Sequence, residues 1–524
     1  MLISYALIGL AAVVLRRFGS GAWLTWMIAA SALGLVVLTG IHFGMTQITG
    51  EGVNGAVFYH MKTGLKGGDV TQYALPAAGA LLVLFAAAAG LWWGRHLLRP
   101  GSAHRRRGVD AVIATFATAA LVIHPVSLAS AQYALRFALV TQHAEGFVTP
   151  ATNPTGPAKP RNLVILYLES LERTYMDPAR FPGLTPNLAK LETRAISFTD
   201  MGQTTGTGFT IGGMVATQCG VPLILSGGAN SMRVSSFLNG ATCLGDILRE
   251  AGYTLSYLGG ASTEFAGKGA FYRSHGYDEV TGFDELLPML PDPDYRAEWG
   301  LQDDTLFDLA RERFDRLASE DAPFVLTLLT LDTLHPNGHA ETNRACEGLS
   351  YGDGSNPMLN SVLCADHMAG LFVDEILDGP HGEDTVIAVM SDHLAMVNSA
   401  TDLLEEAPRR NLLMLLDGAT ASAPKRIDRP ASTLDTAPTL LGHLGFDVPR
   451  MGLGTNLLGE EETLPEKLGV PVDDQRALDT HVMGFQSVYT RLWAFPDVSD
   501  GLYLNAELGE VNFGYSAFRT PVLL

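Results

Sequence analysis

Positive charge is in short supply in this chain of 524 residues: 35 Lys and Arg stand against 55 Asp and Glu, a formal net charge of −20. No long basic stripe runs through the later, charged part of the chain, so nucleic acid is excluded as a partner. The acid surplus is what a solvated domain carries to stay dispersed. Cysteine is scarcer, with only Cys219, Cys243, Cys346 and Cys364, and no pair has the C-x-x-C spacing of a zinc ribbon. The even count, falling as two locally spaced pairs, predicts disulfides Cys219 with Cys243 and Cys346 with Cys364 in an oxidising compartment, with four buried thiols as the alternative. No internal repeat is present, which excludes a solenoid or propeller.

Charge is missing from four apolar stretches that crowd the first 135 residues and approach the roughly 20 residues that a bilayer core demands of a helix: Leu2 to Leu15, Ala22 to Phe43, Tyr73 to Trp93 and Ala111 to Leu128. The first lacks the basic n-region of a signal peptide and runs at once into Arg16, Arg17 and a second apolar span, so it reads as a retained helix. Arg16 and Arg17 follow the first span, and Arg95, Arg99, Arg105, Arg106 and Arg107 follow the third, which places both loops in the cytoplasm. The loop with Glu51, Lys62, Lys66 and Asp69 is balanced and belongs outside, together with everything after the fourth span. Within it, Val57, Phe58, Tyr59 and His60 make an amphipathic stretch suited to the headgroup layer, or else a plain connection. Thr, Pro, Gly and Ala dominate from His143 to Lys159, a linker composition that sets the domain boundary near Arg161.

Beyond the linker, short apolar runs alternate with amphipathic stretches, the rhythm of a largely parallel sheet flanked by helices. Asn162 to Leu168, Thr254 to Leu258, Phe324 to Leu329 and Thr385 to Met390 read as strands, and Asp303 to Leu317 and Val362 to Leu377 as helices. Chemistry in such sheets gathers beyond the carboxyl ends of the strands. Those ends are polar here: Glu169-Ser170, Leu331 through Pro336, and Ser391-Asp392-His393. Alone, Glu169 reads as a helix cap and Asp392-His393 as a polar turn; together at strand ends, carboxylates and an imidazole supply ligands for a divalent cation such as Mn²⁺ or Zn²⁺. Between the first two strands lies Gly206-Thr207-Gly208-Phe209-Thr210-Ile211-Gly212-Gly213-Met214, in which glycines permit close backbone approach to a phosphate. Thr210 precedes an apolar run and sits where a hydroxyl meets the positive end of a helix, as a nucleophile or as a capping threonine.

Leu168-Glu169-Ser170, Gly208 through Met214 and Ser391-Asp392-His393 resemble the metal and nucleophile motifs of the sulfatase-like phosphoglycerol transferases. That family includes lipoteichoic acid synthase and phosphoglycerol transferase I of osmoregulated periplasmic glucan synthesis; Ala216 through Leu223 and Val389 through Met396 resemble the latter. The resemblance covers Asn162 to Leu457 and the membrane architecture, while Gly459 to Leu524 matches nothing recognised. It implies an α/β chain in which an N-terminal transmembrane helical bundle precedes an alkaline-phosphatase/sulfatase-like mixed sheet flanked by helices. The divisions are a transmembrane domain of about four helices at 1–135, a linker at 136–160, a catalytic domain at 161–458 and an extension packed on it at 459–524.

The resemblance further implies that Glu169, Asp392 and His393 hold one divalent metal, Mn²⁺ ahead of Mg²⁺ or Zn²⁺. Thr210 is then both nucleophile and ligand, and His335 contacts the phosphoglycerol group. The Trp and Arg motif of lipoteichoic acid synthase is not visible; Gly267 through Arg273 takes its place, with Lys268 as the phosphate-binding candidate. The implied reaction, in a bacterial inner membrane with the catalytic domain periplasmic, moves phosphoglycerol from phosphatidylglycerol to a periplasmic glucan through Thr210. Its rivals are a sulfatase or phosphodiesterase of the same superfamily and a non-catalytic scaffold or sensor. Cys219-Gly220-Val221-Pro222 has the wrong spacing for the C-x-P-x-R precursor of a sulfatase nucleophile, and an intact ligand set argues against a decayed site. Reporters fused after Arg17 and after Arg107 are expected to register cytoplasm and one fused near Lys159 the exterior; a cytoplasmic signal at Lys159 would overturn both the span count and the compartment.

Overall fold

The computed structural model describes residues 1–18, 22–49, 57, 59, 74–94, 107–139, 146–224, 236–418, 425–493, 502–505, 510–513 and 522–523. It divides into two compact units, Met1–Phe58 with Asp69–Leu139, and Tyr59–Gly68 with Val140–Leu524.

The first unit contains α1 (Leu2–Phe18), α2 (Ala22–Thr49), α3 (Ala74–Gly94), α4 (Arg107–Val122) and α5 (Pro125–Leu139). Ala11, Leu15, Leu24, Ile28 and Ile113 form a small buried cluster, while Trp26, Phe43, Phe85 and Trp93 face outwards. Large apolar side chains on the outside suit a lipid solvent rather than water. Among the described residues one helix, Trp23–Thr46, is long and apolar enough to cross a bilayer. The expected fourth span is not one straight helix: Gly108–Val122 and Pro125–Gln132 qualify only as a pair bent by 68°. Pro125 brings no amide hydrogen and disfavours helical backbone at the residue before it, so the chain turns there. Arg95, Arg99, Arg105 and Arg106, with Glu51, Lys62, Lys66 and Asp69 of the other loop, lie outside the described residues.

In the second unit β1 (Asn162–Leu168), β2 (Ile196–Phe198), β3 (Thr254–Gly259), β4 (Glu279–Thr281), β5 (Phe324–Leu329), β6 (Thr385–Ser391), β7 (Leu413–Asp417) and β8 (Lys425–Ile427) form one sheet. Their order is β4-β3-β5-β1-β6-β7-β2-β8. Only β7 runs against its neighbours, so the sheet is mixed with a parallel centre. A central parallel strand needs apolar residues on both faces, which is why β1 reads as the near-continuous run Asn-Leu-Val-Ile-Leu-Tyr-Leu. Val164, Leu166 and Leu168 join the core with Phe307 and Phe314 of α8 (Asp303–Ala318) and Val362 and Phe372 of α9 (Pro357–Asp378). On the opposite face the Tyr167 hydroxyl lies 2.6 Å from Thr217 and accepts from Gln218 at 3.1 Å, anchoring α6 (Thr210–Cys219).

Register does the positioning. Leu168 pairs with Ser391 and Tyr167 with Leu329, so the next residues, Glu169, Asp392 and Thr330, leave the sheet side by side. Disulfide Cys219–Cys243 ties the end of α6 to the start of the short helix Leu244–Glu250, and Cys346–Cys364 ties a turn to α9. Part of the C-terminal stretch reaches the same unit: Asp479 accepts the Thr205 amide at 2.8 Å and the Trp493 indole donates to the Ile224 carbonyl at 3.1 Å.

The turn after β5 is clasped to the start of α8 by reciprocal hydrogen bonds between two buried carboxylates. Asp303 accepts the amides of Leu331 and Asp332 at 2.6 and 2.9 Å, and Asp332 accepts the Asp303 amide at 3.0 Å and the Asn343 side chain at 2.5 Å. Burial raises Asp332 to about 7, against the hydrogen bond from Asn343. The folded chain therefore keeps a proton that the unfolded chain, with Asp near 3.9, gives up. This contribution is complete below about pH 4 and is lost as pH rises through about 7. Asp332→Asn should flatten that loss by on the order of 2 kcal/mol between about pH 5 and pH 8. Equal falls in thermal midpoint for the variant and the unaltered chain would show Asp332 to be ionised throughout.

Candidate metal centre and nucleophile

Glu169 follows β1 and Asp392-His393 follows β6, and one ligand atom from each of the three lies within 4.8 Å of the others. All three are buried. Ser170, in the left-handed region at φ 54°, turns the chain so that its amide donates to Asp392 Oδ1 at 2.9 Å and its hydroxyl to Glu169 Oε1 at 3.0 Å. The His393 amide also donates to Asp392 Oδ1, at 2.9 Å. Thr330 and Thr333 of the β5 turn hold the Glu169 backbone, one accepting its amide at 2.9 Å and the other donating to its carbonyl.

What remains is an orphaned pair of atoms. His393 Nδ1 lies 2.8 Å from the Leu394 carbonyl and serves as its donor, which leaves Nε2 as an acceptor. Nε2 is 3.3 Å from Asp392 Oδ2 and 3.5 Å from Glu169 Oε1, yet neither it nor Asp392 Oδ2 has a hydrogen-bond partner. Lone pairs facing one another in a buried site call for a proton or a metal cation among them. Asp392 and His393 accordingly hold protons more tightly than free side chains do. Burial, with the Glu169 charge beside it, raises Asp392 to about 7; burial opposes charge on His393, but Asp392 and Glu169 outweigh it and raise the imidazole to about 9. These residues fit a divalent metal with mixed oxygen and nitrogen ligands. Cys219, Cys243 and His275 also cluster, but both sulfurs are spent in the disulfide.

Thr210 opens α6, with Phe209 at the N-cap in extended conformation. The helix runs against the metal cluster: a Cβ added at Gly213 would collide with the Asp392 carbonyl oxygen, and one at Gly212 would meet the Gly206 carbonyl oxygen at 2.6 Å. Gln203 accepts the Leu394 amide at 2.9 Å, bringing the glycine-rich loop to the same edge. Thr207 is engaged otherwise, its hydroxyl donating to the Thr204 carbonyl at 2.9 Å and accepting the Thr204 amide at 3.2 Å. Lys268 opens α7 (Lys268–Ser274) and is 2% exposed, its ammonium 5.2 Å from the Phe265 ring centroid. Burial lowers it to about 8, with the Glu169 and Asp392 charges pulling the other way. His335 stands beyond β5, partly buried and outside the metal cluster.

A family model described as Sulfatase matches residues 161–446, and one described as Phosphoglycerol transferase I, N-terminal domain matches residues 1–140. The chain is 36% identical over 511 residues to phosphoglycerol transferase I of Salmonella arizonae, covering 95% of this chain and 64% of that protein. It is 35% identical over 534 residues to phosphoglycerol transferase I of Shigella flexneri, covering 100% and 67%. The chain belongs to the sulfatase-like phosphoglycerol transferases. It spans about two thirds of the length of the curated relatives it matches. A crystal structure of a lipoteichoic acid synthase from Listeria monocytogenes shares the fold, with TM-score 0.50 and 15% identity over 70% of this chain and 100% of that one.

Within this family frame, the structure adds residues that motif reading passed over. Ser170 bonds two of the metal-site carboxylates, and its signal was only its place after Glu169. Trp299 lies 5.4 Å from Phe265, centroid to centroid, and packs against a cluster that includes Leu331, so it stands between the turns leading to Lys268 and to His335. Tyr59, read as a headgroup-layer or loop residue, is instead buried against Phe209. Phe58 and His60 lie outside the described residues.

Asp392→Asn preserves the Oδ1 acceptor for two amides while replacing Oδ2, so it should fold and yet bind Mn²⁺ at least roughly a hundredfold more weakly. Metal content after equilibrium dialysis, alongside circular dichroism, checks this; full occupancy in the variant would remove Asp392 from the ligand set.

Proposed function

We propose that this chain transfers the phosphoglycerol group of phosphatidylglycerol to a hydroxyl of a periplasmic glucan through a covalent intermediate on Thr210, releasing diacylglycerol. The observation that carries the reading is the joining of Glu169, Asp392 and His393 beside the start of α6, in a chain 35% identical to phosphoglycerol transferase I. Glu169, Asp392, His393 and Thr210 would hold the metal, with Mn²⁺ the first candidate and Mg²⁺ or Zn²⁺ the alternatives. Bound there, a divalent cation supplies a Lewis acid that lowers the pKa of a hydroxyl and offsets charge on phosphoryl oxygens.

The chain's own residues do the rest. Thr210 Oγ1 attacks phosphorus as the bond to the diacylglycerol oxygen breaks, and the threonine proton leaves with that alcohol. An acceptor hydroxyl then attacks the phosphoglyceryl-threonine, and its proton returns to Thr210. The positive end of α6 favours the phosphoryl charge, and Lys268, largely cationic at neutral pH, binds a phosphoryl oxygen while His335 holds the glycerol side. Support for a membrane setting comes from Trp23–Thr46 and from the outward-facing apolar side chains of the first unit. The other helices would add further passes in the bacterial inner membrane and leave the catalytic unit in the periplasm, where both disulfides persist.

Thr210→Ala should lose turnover by roughly a thousandfold or more, because a covalent step is deleted. Thr207→Ala loses only a turn-closing hydrogen bond and should stay within about fivefold. Mass spectrometry of protein given headgroup-labelled phosphatidylglycerol without acceptor should find phosphoglycerol on the peptide containing Thr210. Labelled glycerol phosphate released to water with no adduct would make the chain a hydrolase, and an adduct on Thr207 would misplace the nucleophile.

A further inference from the structure

One fully enclosed aromatic of the catalytic unit comes from far away in sequence. Tyr59 lies in the chain between α2 and α3, is 2% exposed, and donates its hydroxyl to the Ala266 carbonyl at 2.7 Å across 207 residues. Its ring sits 5.6 Å from that of Phe209, centroid to centroid, at an interplanar angle of 47°. Both contacts fall on residues just ahead of ones given roles above: Phe209 is the N-cap of the helix that Thr210 opens, and Ala266 stands two residues before Lys268.

The backbone ahead of Lys268 is one that side chains resist. Ala266 has φ 57° and ψ 12°, and Gly267 has φ 79°, so two successive left-handed residues reverse the chain before α7 begins. A Cβ at Gly267 would crowd the Phe237 ring at 3.0 Å and lie in ordinary contact with the Tyr59 hydroxyl at 3.6 Å, so the left-handed backbone is what favours glycine there. An alanine holds that conformation only where its surroundings impose it, and the bond from Tyr59 fixes its carbonyl. The direction in which Lys268 enters the site follows from that carbonyl's orientation.

We infer that Tyr59 is a positioning residue of the active site, setting the turn that carries Lys268 against the helix start that carries Thr210. The inference rests on the proposed roles of Lys268 and Thr210. It makes the catalytic centre dependent on a residue outside the segment that the sulfatase model covers, residues 161–446.

The test uses the full chain in nanodiscs, with Tyr59→Phe, which keeps the ring and removes the hydroxyl, Lys268→Met, and the double variant. Turnover of headgroup-labelled phosphatidylglycerol and amide exchange across 264–269 are both read. Tyr59→Phe should lower turnover roughly ten- to a hundredfold in the unaltered chain but less than about twofold on top of Lys268→Met, and should speed exchange in 264–269. Unchanged exchange and turnover in Tyr59→Phe, or the same loss in both backgrounds, overturns the inference. Full turnover in Lys268→Met removes the phosphate role of that lysine and the inference with it. If the unaltered chain moves no headgroup, the proposed reaction fails, and exchange alone decides: protection lost in Tyr59→Phe upholds the clasp, and protection kept overturns it.

Discussion

Two carboxylates and an imidazole share one buried pocket at the end of a parallel ladder, and they are tolerable together only around a positive charge, a proton or a metal ion. An ionised carboxylate taken out of water costs several kcal/mol unless it is paired, and Asp392 Oδ2 and His393 Nε2 have no partner of their own. The strands cannot yield to relieve this, because β1 and β6 are buried on both faces and paired along their whole length. The site is thus strained toward cation binding by the same register that stabilises the sheet. Ser170, with its left-handed backbone, and the two threonines of the β5 turn keep the ligands from swinging away.

Around that pocket the helix that opens with the candidate nucleophile, Thr210, is placed by closeness rather than by contact chemistry. Gly213 lets α6 approach the backbone of Asp392 and Gly212 lets it fold back on the Gly206 carbonyl, and a side chain at Gly213 would force the helix away from Asp392. The far end of the same helix is tied twice, by Thr217 and Gln218 to Tyr167 and by Cys219 to Cys243. A helix held in this way restricts the backbone of Thr210, the residue proposed above as the nucleophile.

Much of this was legible beforehand, and for a definite reason. The strands that matter are buried on both faces, so they appear as unbroken apolar runs, and the polar residues that follow them at Glu169, Asp392 and His393 mark the edge where the candidate metal site lies. The glycine-rich stretch around the start of α6 was equally readable; what its glycines Gly212 and Gly213 meet in the structure is backbone carbonyls, whereas the sequence pointed to a phosphate. Less legible was the helical unit. An apolar stretch from Ala111 to Leu128 looks like one span by composition, and only the backbone geometry of Pro125 divides it. Lys268 stands out in the sequence as the phosphate-binding candidate of Gly267 through Arg273, but its burial, and with it the lowering to about 8, comes from packing by residues that no local pattern announces.

By itself the sequence determined the division between an apolar helical part and an α/β part, the strands of the central sheet, the metal-ligand candidates and the threonine that opens a helix. Each of these is a local matter, written in a run of neighbouring side chains whose period or polarity reflects its own burial. Tertiary structure alone decided that Asp392 Oδ2 and His393 Nε2 lie buried without a hydrogen bond to either, that Trp299 stands between the turns leading to Lys268 and His335, and that Tyr59 grips a carbonyl 207 residues away. Such facts depend on which distant surfaces meet when the chain closes, and a single sequence records the composition of each surface without recording its partner.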